Sequence, residues 1–511
     1  MKTPNRRRAT VIGLVNQYGS VALAMVQGVV LVPLYLRHIQ GPVYAAWLAS
    51  GDVVAWLALI DPGVAGVMQQ RIGHALGRKD PEALGRTIGT GLRVNLTLGL
   101  LLGALGVLVA PWVPALVRVT DPTVARVMVR SFALASVGEA VLLCALSIAA
   151  VIMALMEFPL TLGSLYLTCT SLGIVATVVL LRAGVGVHAI PLGLMFRAGL
   201  YLVATAVLYR RVVHRGLGLR PRFDRAELRA VFGLSGYTWV SRLGQSLLQN
   251  VERVLVARLL GTREVTPLTM TRRAADVVLQ ATTRVGTAFA PAVAHLAGEG
   301  DLSQLRDVTA RLLGAVGWVG AIGFGGLVGL NRSFVAVWVG PELFGGQRVS
   351  ALLALALTWQ SVEAVLAQTL FATGRIRETS LVTLAEALAK ALLLALLLAA
   401  GMGLVAVPVA GLAAALGVAS VPLWVRFTRA VRLPRGEALR LVGAMVLQLA
   451  ALGAAGLCWD HLVPAATGVG GFLLRAVALG GLLAALLAGL SPGFRGRVLG
   501  ALGRGALRDG P

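Results

Sequence analysis

Charged residues are scarce in this chain. Only 13% of its 511 residues are Asp, Glu, Lys or Arg, whereas 57% are hydrophobic and the mean hydropathy is +0.82. A soluble domain averages about 25% charged and roughly 45–50% apolar residues. The charge that a water-facing surface requires is missing, so the chain must expose apolar surface to lipid.

Acidic residues are especially few, because 22 Asp and Glu stand against 46 Lys and Arg, giving a net charge of +24. In a soluble protein this excess would suggest nucleic-acid binding. Here the Lys and Arg residues lie mostly in short segments between apolar runs, and the sequence lacks zinc-ligand spacings, a basic zipper and RNA-binding motifs. We therefore attribute the excess to membrane topology and expect no nucleic-acid partner.

Cysteine is also rare, and none of the three forms a CxxC motif. Cys144, Cys169 and Cys458 lie in or beside apolar runs, which predicts packing roles. A Walker loop, a Ser/His/Asp constellation and a metal-ligand cluster are absent from the sequence, so we expect no cofactor and no enzyme. A membrane glycosyltransferase, ligase or polymerase is the less favoured alternative, since the longest predicted external loops, 112–130 and 331–349, are too short for a catalytic domain.

Long apolar runs are abundant. A bilayer core of about 30 Å needs about 20 apolar residues per helix. Runs of that kind lie at 10–36, 43–62, 94–112, 131–154, 160–181, 188–209, 231–257, 266–289, 312–330, 350–372, 379–400, 404–425, 441–459 and 470–489. The sequence therefore predicts an all-α membrane protein with about fourteen transmembrane helices.

The basic segments predict the orientation of these helices. Segment 210–229 carries seven Arg residues and segment 426–440 carries five. Lys and Arg accumulate in cytoplasmic loops, so both segments, the N-terminus and the basic tail are expected in the cytoplasm. The prediction is a multi-pass protein of a bacterial cytoplasmic membrane, with membrane lipids among its partners.

Four pairs of short sequences recur in the same order. The pairs are 51–54 with 275–278, 77–84 with 298–305, 139–142 with 363–366, and 184–191 with 401–408. Their offsets are nearly equal, which predicts two parallel six-helix repeats, expected to be pseudo-symmetric lobes. We assign residues 1–209 to the first lobe, 210–230 to a basic linker, 231–428 to the second lobe, and 429–511 to two extra helices and a tail.

The first eighty residues carry a recognisable pattern. It consists of Val32-Pro33-Leu34-Tyr35-Leu36-Arg37, Gly41, Tyr44-Ala45-Ala46-Trp47-Leu48, Leu59-Ile60-Asp61-Pro62-Gly63 and Gly77-Arg78-Lys79-Asp80. This pattern resembles that of the polysaccharide-biosynthesis flippases, O-antigen-type members of the multidrug/oligosaccharidyl-lipid/polysaccharide exporter superfamily. The resemblance implies fourteen helices, alternating access of two lobes and a cavity lined by helices one, two, seven and eight.

Polar side chains follow helical spacing on those four helices. Charged groups inside a membrane are costly and often mark transport pathways, and Arg offers donors that match phosphate oxygens. With the resemblance, the candidates for substrate binding are Arg242, Gln245, Gln249, Arg273, Gln280, Arg284, Asn16 and Gln27. We expect Arg242, Arg273 and Arg284 to hold a diphosphate. The alternative is that these arginines pair with Glu252 and Asp276, whereas Arg253 is expected to reach the membrane surface.

Acidic residues within the predicted spans are candidates for coupling. They are Asp52, Asp276 and the repeat-related pair Glu139 and Glu363. Such a pair could bind a coupling cation or proton, or it could lock helix packing. Na⁺, H⁺ and the membrane potential all stay open as the driving force, and Glu386 is expected to pair with Lys390.

The expected function is translocation of a polyprenyl-diphosphate-linked oligosaccharide for cell-surface polysaccharide biosynthesis, including lipopolysaccharide. The partners are then that lipid-linked glycan and other polysaccharide-assembly proteins. Two alternatives within the superfamily are export of lipid II and cation-coupled export of drugs.

Overall fold

The computed structural model describes residues 19, 23, 27–78, 80–156, 159–216, 218–219, 221–299, 302–466 and 468–496, and every regular element in these ranges is a helix. The chain divides into two compact units, Met1–Val265 and Thr266–Pro511. The predicted fold class is confirmed: this is an all-α membrane protein.

The first unit contains nine α-helices among its described residues. They are α1 (27–38), α2 (Gly41–Leu57), α3 (Val64–Gly77), α4 (Pro81–Val109), α5 (Val113–Leu116), α6 (Pro122–Met156), α7 (Pro159–Arg182), α8 (Ala189–Tyr209) and α9 (Arg225–Leu259). Proline opens α4, α6 and α7, where its missing N–H would have no helical partner. Asp80 caps α4 by accepting hydrogen bonds from the Glu82 and Ala83 amides at 3.0 and 2.9 Å.

The second unit contains eight α-helices in the described part of the chain. They are α10 (Val265–Glu299, whose first residue still belongs to the first unit), α11 (Leu302–Trp338), α12 (Gln347–Ala372), α13 (Ile376–Ala399), α14 (Ala406–Ala414), α15 (Val421–Ala430), α16 (Arg435–Leu462) and α17 (Val469–Leu490). A π-helical segment, Ala415–Ser420, joins α14 to α15 without a loop. The π geometry lies within a predicted span, and such segments often occur at functional positions.

Eleven helical segments in the described residues are long and apolar enough to cross a membrane. They are Gly41–Gln69, Pro81–Leu116, Pro122–Leu155, Thr161–Arg182, Gly186–Arg215, Leu302–Trp338, Gln347–Phe371, Ile376–Ala399, Gly403–Ala430, Arg435–Leu462 and Val469–Leu490. The two further predicted spans at 231–257 and 266–289 lie in α9 and α10, which have 35 residues each. Because predicted span 10–36 falls largely outside the described residues, the count of fourteen stays a prediction.

Small residues bring the helices of each unit into close contact. A Cβ on Gly193 of α8 would lie 1.9 Å from Thr177 Oγ1 of α7. In the second unit, a Cβ on Gly456 of α16 would lie 2.3 Å from the Gly325 carbonyl oxygen of α11. Lipid supplies no hydrophobic driving force between helices, so this tight packing supplies much of their attraction.

The segment before α9 is fastened to α4. The Arg222 amide donates to the Gly85 carbonyl at 3.1 Å, and the Asp224 amide donates to Thr90 Oγ1 at 2.9 Å. A Cβ on Gly89 would lie 2.4 Å from the backbone of Arg222. Only glycine therefore leaves room for the segment at this position.

An ion pair and a hydrogen bond continue this attachment into α9. Arg71 Nε of α3 donates to Glu227 Oε1 at 2.6 Å, and Thr87 Oγ1 of α4 donates to the same oxygen at 2.7 Å. The first compact unit thus includes residues 231–265, which the repeats assign to the second lobe. Spatial contact and sequence similarity are different properties, and the repeat boundaries stay a prediction.

Replacing Gly89 by Ala is expected to destabilise the protein, because the new methyl group would meet backbone atoms that cannot rotate away. Overpacking of this kind costs about 1–3 kcal/mol. The measurement is the thermal unfolding midpoint of the purified protein, together with proteolysis of segment 221–227. Gly199→Ala in α8 is the control, since a Cβ there meets nothing within 4 Å; equal midpoints for the two variants would contradict the prediction.

Candidate functional site

Arg242 lies in α9 and contacts the turn between α2 and α3. Asp61 closes that turn, because its Oδ1 accepts hydrogen bonds from the Gly63 and Val64 amides at 2.9 and 3.1 Å. Arg242 Nη1 donates to Asp61 Oδ2 at 3.3 Å and to the Asp61 carbonyl at 3.2 Å. One turn earlier, Trp239 Nε1 donates to the Leu59 carbonyl at 2.7 Å. The guanidinium is thus positioned by the carboxylate and the carbonyl of Asp61, in a turn held by its own hydrogen bonds.

The guanidinium of Arg242 keeps donors available. Its side chain is 51% exposed, and Nε and Nη2 make no hydrogen bond with a described residue. Gly63, at φ +95°, lies against it, and a Cβ there would be 3.4 Å from Arg242 Cζ. A guanidinium has five N–H donors in a planar fork, so Arg242 can bind an anion while it remains paired with Asp61.

Gln245 and Gln249 are exposed on α9, three and seven residues after Arg242. This spacing places the three side chains on one face of the helix. Exposed polar groups on a helix within a membrane bundle are costly unless they face water or a polar ligand. Arg242, Gln245 and Gln249 of the polar face predicted for α9 are therefore exposed. Glu252, the next residue of that face, is buried.

Asp52 is the most deeply buried of the predicted coupling candidates, with 1% of its surface exposed. Its Oδ2 accepts a hydrogen bond of 3.0 Å from Arg253 Nε of α9, and the other oxygen pairs with the same guanidinium. Arg253, which we expect at the membrane surface from the sequence, is paired with this buried carboxylate, and its depth in the membrane stays a prediction. The buried carboxylate of Asp52 in α2 attracts the guanidinium of Arg253 in α9. Sequence spacing could not predict this pair, because the two residues are far apart in the chain.

In α10, Asp276 pairs with Arg272 and not with the adjacent Arg273, which is the arginine that the sequence indicated. Arg272 Nε donates to Asp276 Oδ1 at 2.8 Å, one helical turn away. Arg273 is half-buried and makes no hydrogen bond or ion pair with a described residue. Gln280 is exposed on the same helix, and Gln27 is half-buried in α1. Asn16 and the side chain of Arg284 lie outside the described residues.

The two repeat-related glutamates have different surroundings. Glu139 in α6 is half-buried, and the opposing charge that acts on it is Arg197 of α8. Glu363 in α12 is only 3% exposed. Its Oε1 accepts a 2.7 Å hydrogen bond from Ser420 Oγ at the end of the π segment, and Trp359 Nε1 donates to the same hydroxyl at 2.8 Å. Equivalent sequence positions therefore carry unequal electrostatic environments.

One charged side chain of α13, Glu386, acts on Glu363, and a second, Lys390, acts on Glu386. Glu386 repels Glu363 electrostatically and is attracted by Lys390. All three groups are buried, and Glu363 Oε2 has no hydrogen-bond partner among the described residues. The sequence indicated Glu386 with Lys390 one turn apart, but it missed the proximity of Glu386 to Glu363 on a different helix. Within the described residues, no group of three or more His, Cys, Asp or Glu side chains could hold a metal ion.

Comparisons with known proteins agree with this architecture. A sequence model of the family described as polysaccharide biosynthesis protein matches residues 67–321. A search of the curated proteins found no match.

Several solved structures share the fold. An inward-facing multidrug resistance MATE family transporter of the MOP superfamily has a TM-score of 0.63 at 12% identity, over 85% of this chain and 99% of that chain. The lipid II flippase MurJ, inward closed, has a TM-score of 0.65 at 10% identity, over 93% of this chain and 98% of that chain. An outward-facing MATE family transporter has a TM-score of 0.57 at 13% identity, over 83% and 95% of the two chains.

Replacing Asp52 by Asn is expected to lower the thermal unfolding midpoint, because Arg253 would lose its counter-charge in the bundle. Breaking a buried pair from one side costs about 3–5 kcal/mol, and partial exposure of Arg253 places the expected loss near the lower end. Asp52→Asn combined with Arg253→Gln should recover part of it. Glu82→Gln is the control, since its ion pair with Arg86 is exposed; an equal loss in Glu82→Gln would contradict this role for Asp52.

Proposed function

We propose that this chain, which belongs to the polysaccharide biosynthesis protein family of the MOP superfamily and is a multi-pass membrane protein, is a flippase for a polyprenyl-diphosphate-linked oligosaccharide. The observation that supports it best is the state of Arg242. It is fixed by Asp61 beside an exposed Gln245 and Gln249, and it retains free donors. A diphosphate offers oxygens that match the guanidinium fork, and sugar hydroxyls suit the two amides.

A transport role fits the chain better than catalysis. The structures that share its fold are transporters and flippases, and such folds work by alternating access. In our proposal the protein lies in the bacterial cytoplasmic membrane with both termini in the cytoplasm, since segments 210–229 and 426–440 are rich in Arg. Other polysaccharide-assembly proteins would supply and use the translocated lipid.

Lipid II is the second candidate cargo. The similarity to a lipid II flippase extends over 93% of this chain, and lipid II also combines a diphosphate, sugars and a polyprenyl tail. The two cargoes are separated by deleting the gene. Accumulation of a surface-polysaccharide precursor on the inner leaflet with normal cell-wall synthesis supports our proposal, whereas accumulation of lipid II supports the second candidate.

Arg242→Gln and Arg273→Gln are expected to slow export of the polysaccharide and to leave its lipid-linked precursor on the inner leaflet. Losing one hydrogen-bonding charge to phosphate costs about 1.5–3 kcal/mol, roughly a 10- to 100-fold weaker interaction. Arg242→Lys should fall between, because it keeps the charge and loses the fork. Arg126→Gln is the control, since Arg126 is exposed at the first turn of α6. Normal export by both Gln variants at unchanged protein levels would exclude these two residues as diphosphate ligands.

For the driving force we propose the cluster of Glu363, Glu386 and Lys390. Two buried carboxylates and one ammonium leave one negative charge uncompensated, and an unpaired buried charge is expensive. Uptake of a proton or a monovalent cation would remove that cost. Glu139 is the weaker candidate, because the positive charge of Arg197 partly balances its negative charge.

Glu363→Gln is expected to abolish the response of transport to an imposed H⁺ or Na⁺ gradient in proteoliposomes, since the neutral side chain removes the uncompensated charge. Imposing the two gradients and the membrane potential separately identifies the driving force. Glu139→Gln is the repeat-matched control and should retain the response. Loss of the response in Glu139→Gln with retention in Glu363→Gln would reverse the assignment.

A further inference from the structure

An open basic groove lies where the beginning of α13 meets α15. One cavity of about 550 Å³ is lined by Arg375, Glu378, Arg426 and Arg429, together with Val421, Pro422 and Val425. A second cavity of about 460 Å³ shares Glu378, Pro422 and Arg426 with the first and adds Arg377 and Leu381. The two cavities form one groove, which we call the α13–α15 groove.

The charge of this groove is strongly positive. Four arginines, Arg375, Arg377, Arg426 and Arg429, stand against a single described carboxylate in its lining, Glu378. Arg426 Nε donates to Glu378 Oε2 at 2.8 Å, so that one carboxylate is already engaged. The N-terminus of α13 adds the positive partial charge of the helix dipole at the same place. The groove therefore favours an anion.

Apolar side chains border the arginines. Val421 is 64% exposed, and Leu381 and Val425 are also exposed. Candidate membrane spans Ile376–Ala399 and Gly403–Ala430 both have an end at the groove. This position combines cations at the level of lipid headgroups with apolar surface at the level of the adjoining acyl chains.

We propose that the α13–α15 groove binds the headgroup of one anionic phospholipid, with its acyl chains against Leu381, Val421 and Val425. The phosphate accepts hydrogen bonds from the arginines, and lipid tails cover apolar surface that a free phosphate would leave bare. With the proposed orientation, the lipid comes from the inner leaflet. This site is separate from the residues proposed for cargo and coupling.

The test measures lipid retained by the purified full-length protein in native mass spectrometry. Phosphatidylglycerol is compared with phosphatidylcholine, and inorganic phosphate and a polyprenyl diphosphate are added as competitors. The groove variant combines Arg375→Gln with Arg429→Gln. The matched control combines Arg435→Gln with Arg440→Gln, which removes the same charge from exposed positions of the neighbouring α16.

The groove variant is expected to bind its first phosphatidylglycerol at least about tenfold more weakly, since it lacks two arginines that attract the anionic headgroup. The control variant and the binding of phosphatidylcholine should be nearly unchanged. Glu378→Gln provides a change in the opposite direction: it removes the carboxylate that engages Arg426, and it should strengthen retention. A gain that is confined to phosphatidylglycerol, with phosphatidylcholine unchanged, distinguishes this effect from misfolding.

Three results would overturn the proposal. Equal losses in the groove and control variants would show general attraction to a basic surface. Displacement by inorganic phosphate at concentrations comparable to the lipid would show a free-anion site. Preferential displacement by the polyprenyl diphosphate would make the groove a cargo site.

Discussion

The structure depends on the cost of a charge that is surrounded by hydrocarbon and has no partner. The chain has few acidic residues, and three of the acids in or next to its described helices each form an ion pair with an arginine. Asp52 is paired with Arg253, Asp61 with Arg242, and Asp276 with Arg272. Each pair lowers the cost of burying its members, and in the first unit the pairs also attach α9 to α2 and to the turn that follows it.

Some charged side chains of the structure are only partly paired, and these can still bind a ligand or an ion. Arg242 satisfies Asp61 and still has donors to offer, and Arg273 has no described partner. Among the described residues, Lys390 is the one positive charge that acts on this pair of carboxylates, and the Ser420 hydroxyl also binds Glu363. A charged group that is not fully compensated is stabilised when an oppositely charged ligand or ion binds, which makes it a candidate for binding or coupling.

Glu139 and Glu363 have different electrostatic surroundings although they lie at matching positions of a repeated sequence. Both residues occupy the same position in a repeated four-residue sequence, 139–142 and 363–366. The neighbouring helices differ, however, because α8 offers Arg197 to the first and α13 offers a second acid to the other. The repeat preserves the position of the carboxylate. The helix packed against it determines whether a neighbouring positive charge balances that carboxylate.

The sequence by itself determined the membrane character, the all-helical fold class and the polar stripe of α9, because composition and helical periodicity are local properties. It also indicated which residues carry charge within the spans. Only the tertiary structure decided the partners: Arg253 pairs with Asp52, Arg272 rather than Arg273 pairs with Asp276, and Glu386 lies beside Glu363. The physical reason is that an ion pair forms between side chains brought together by packing, and helices that are distant in the sequence carry no record of their depth or rotation relative to each other.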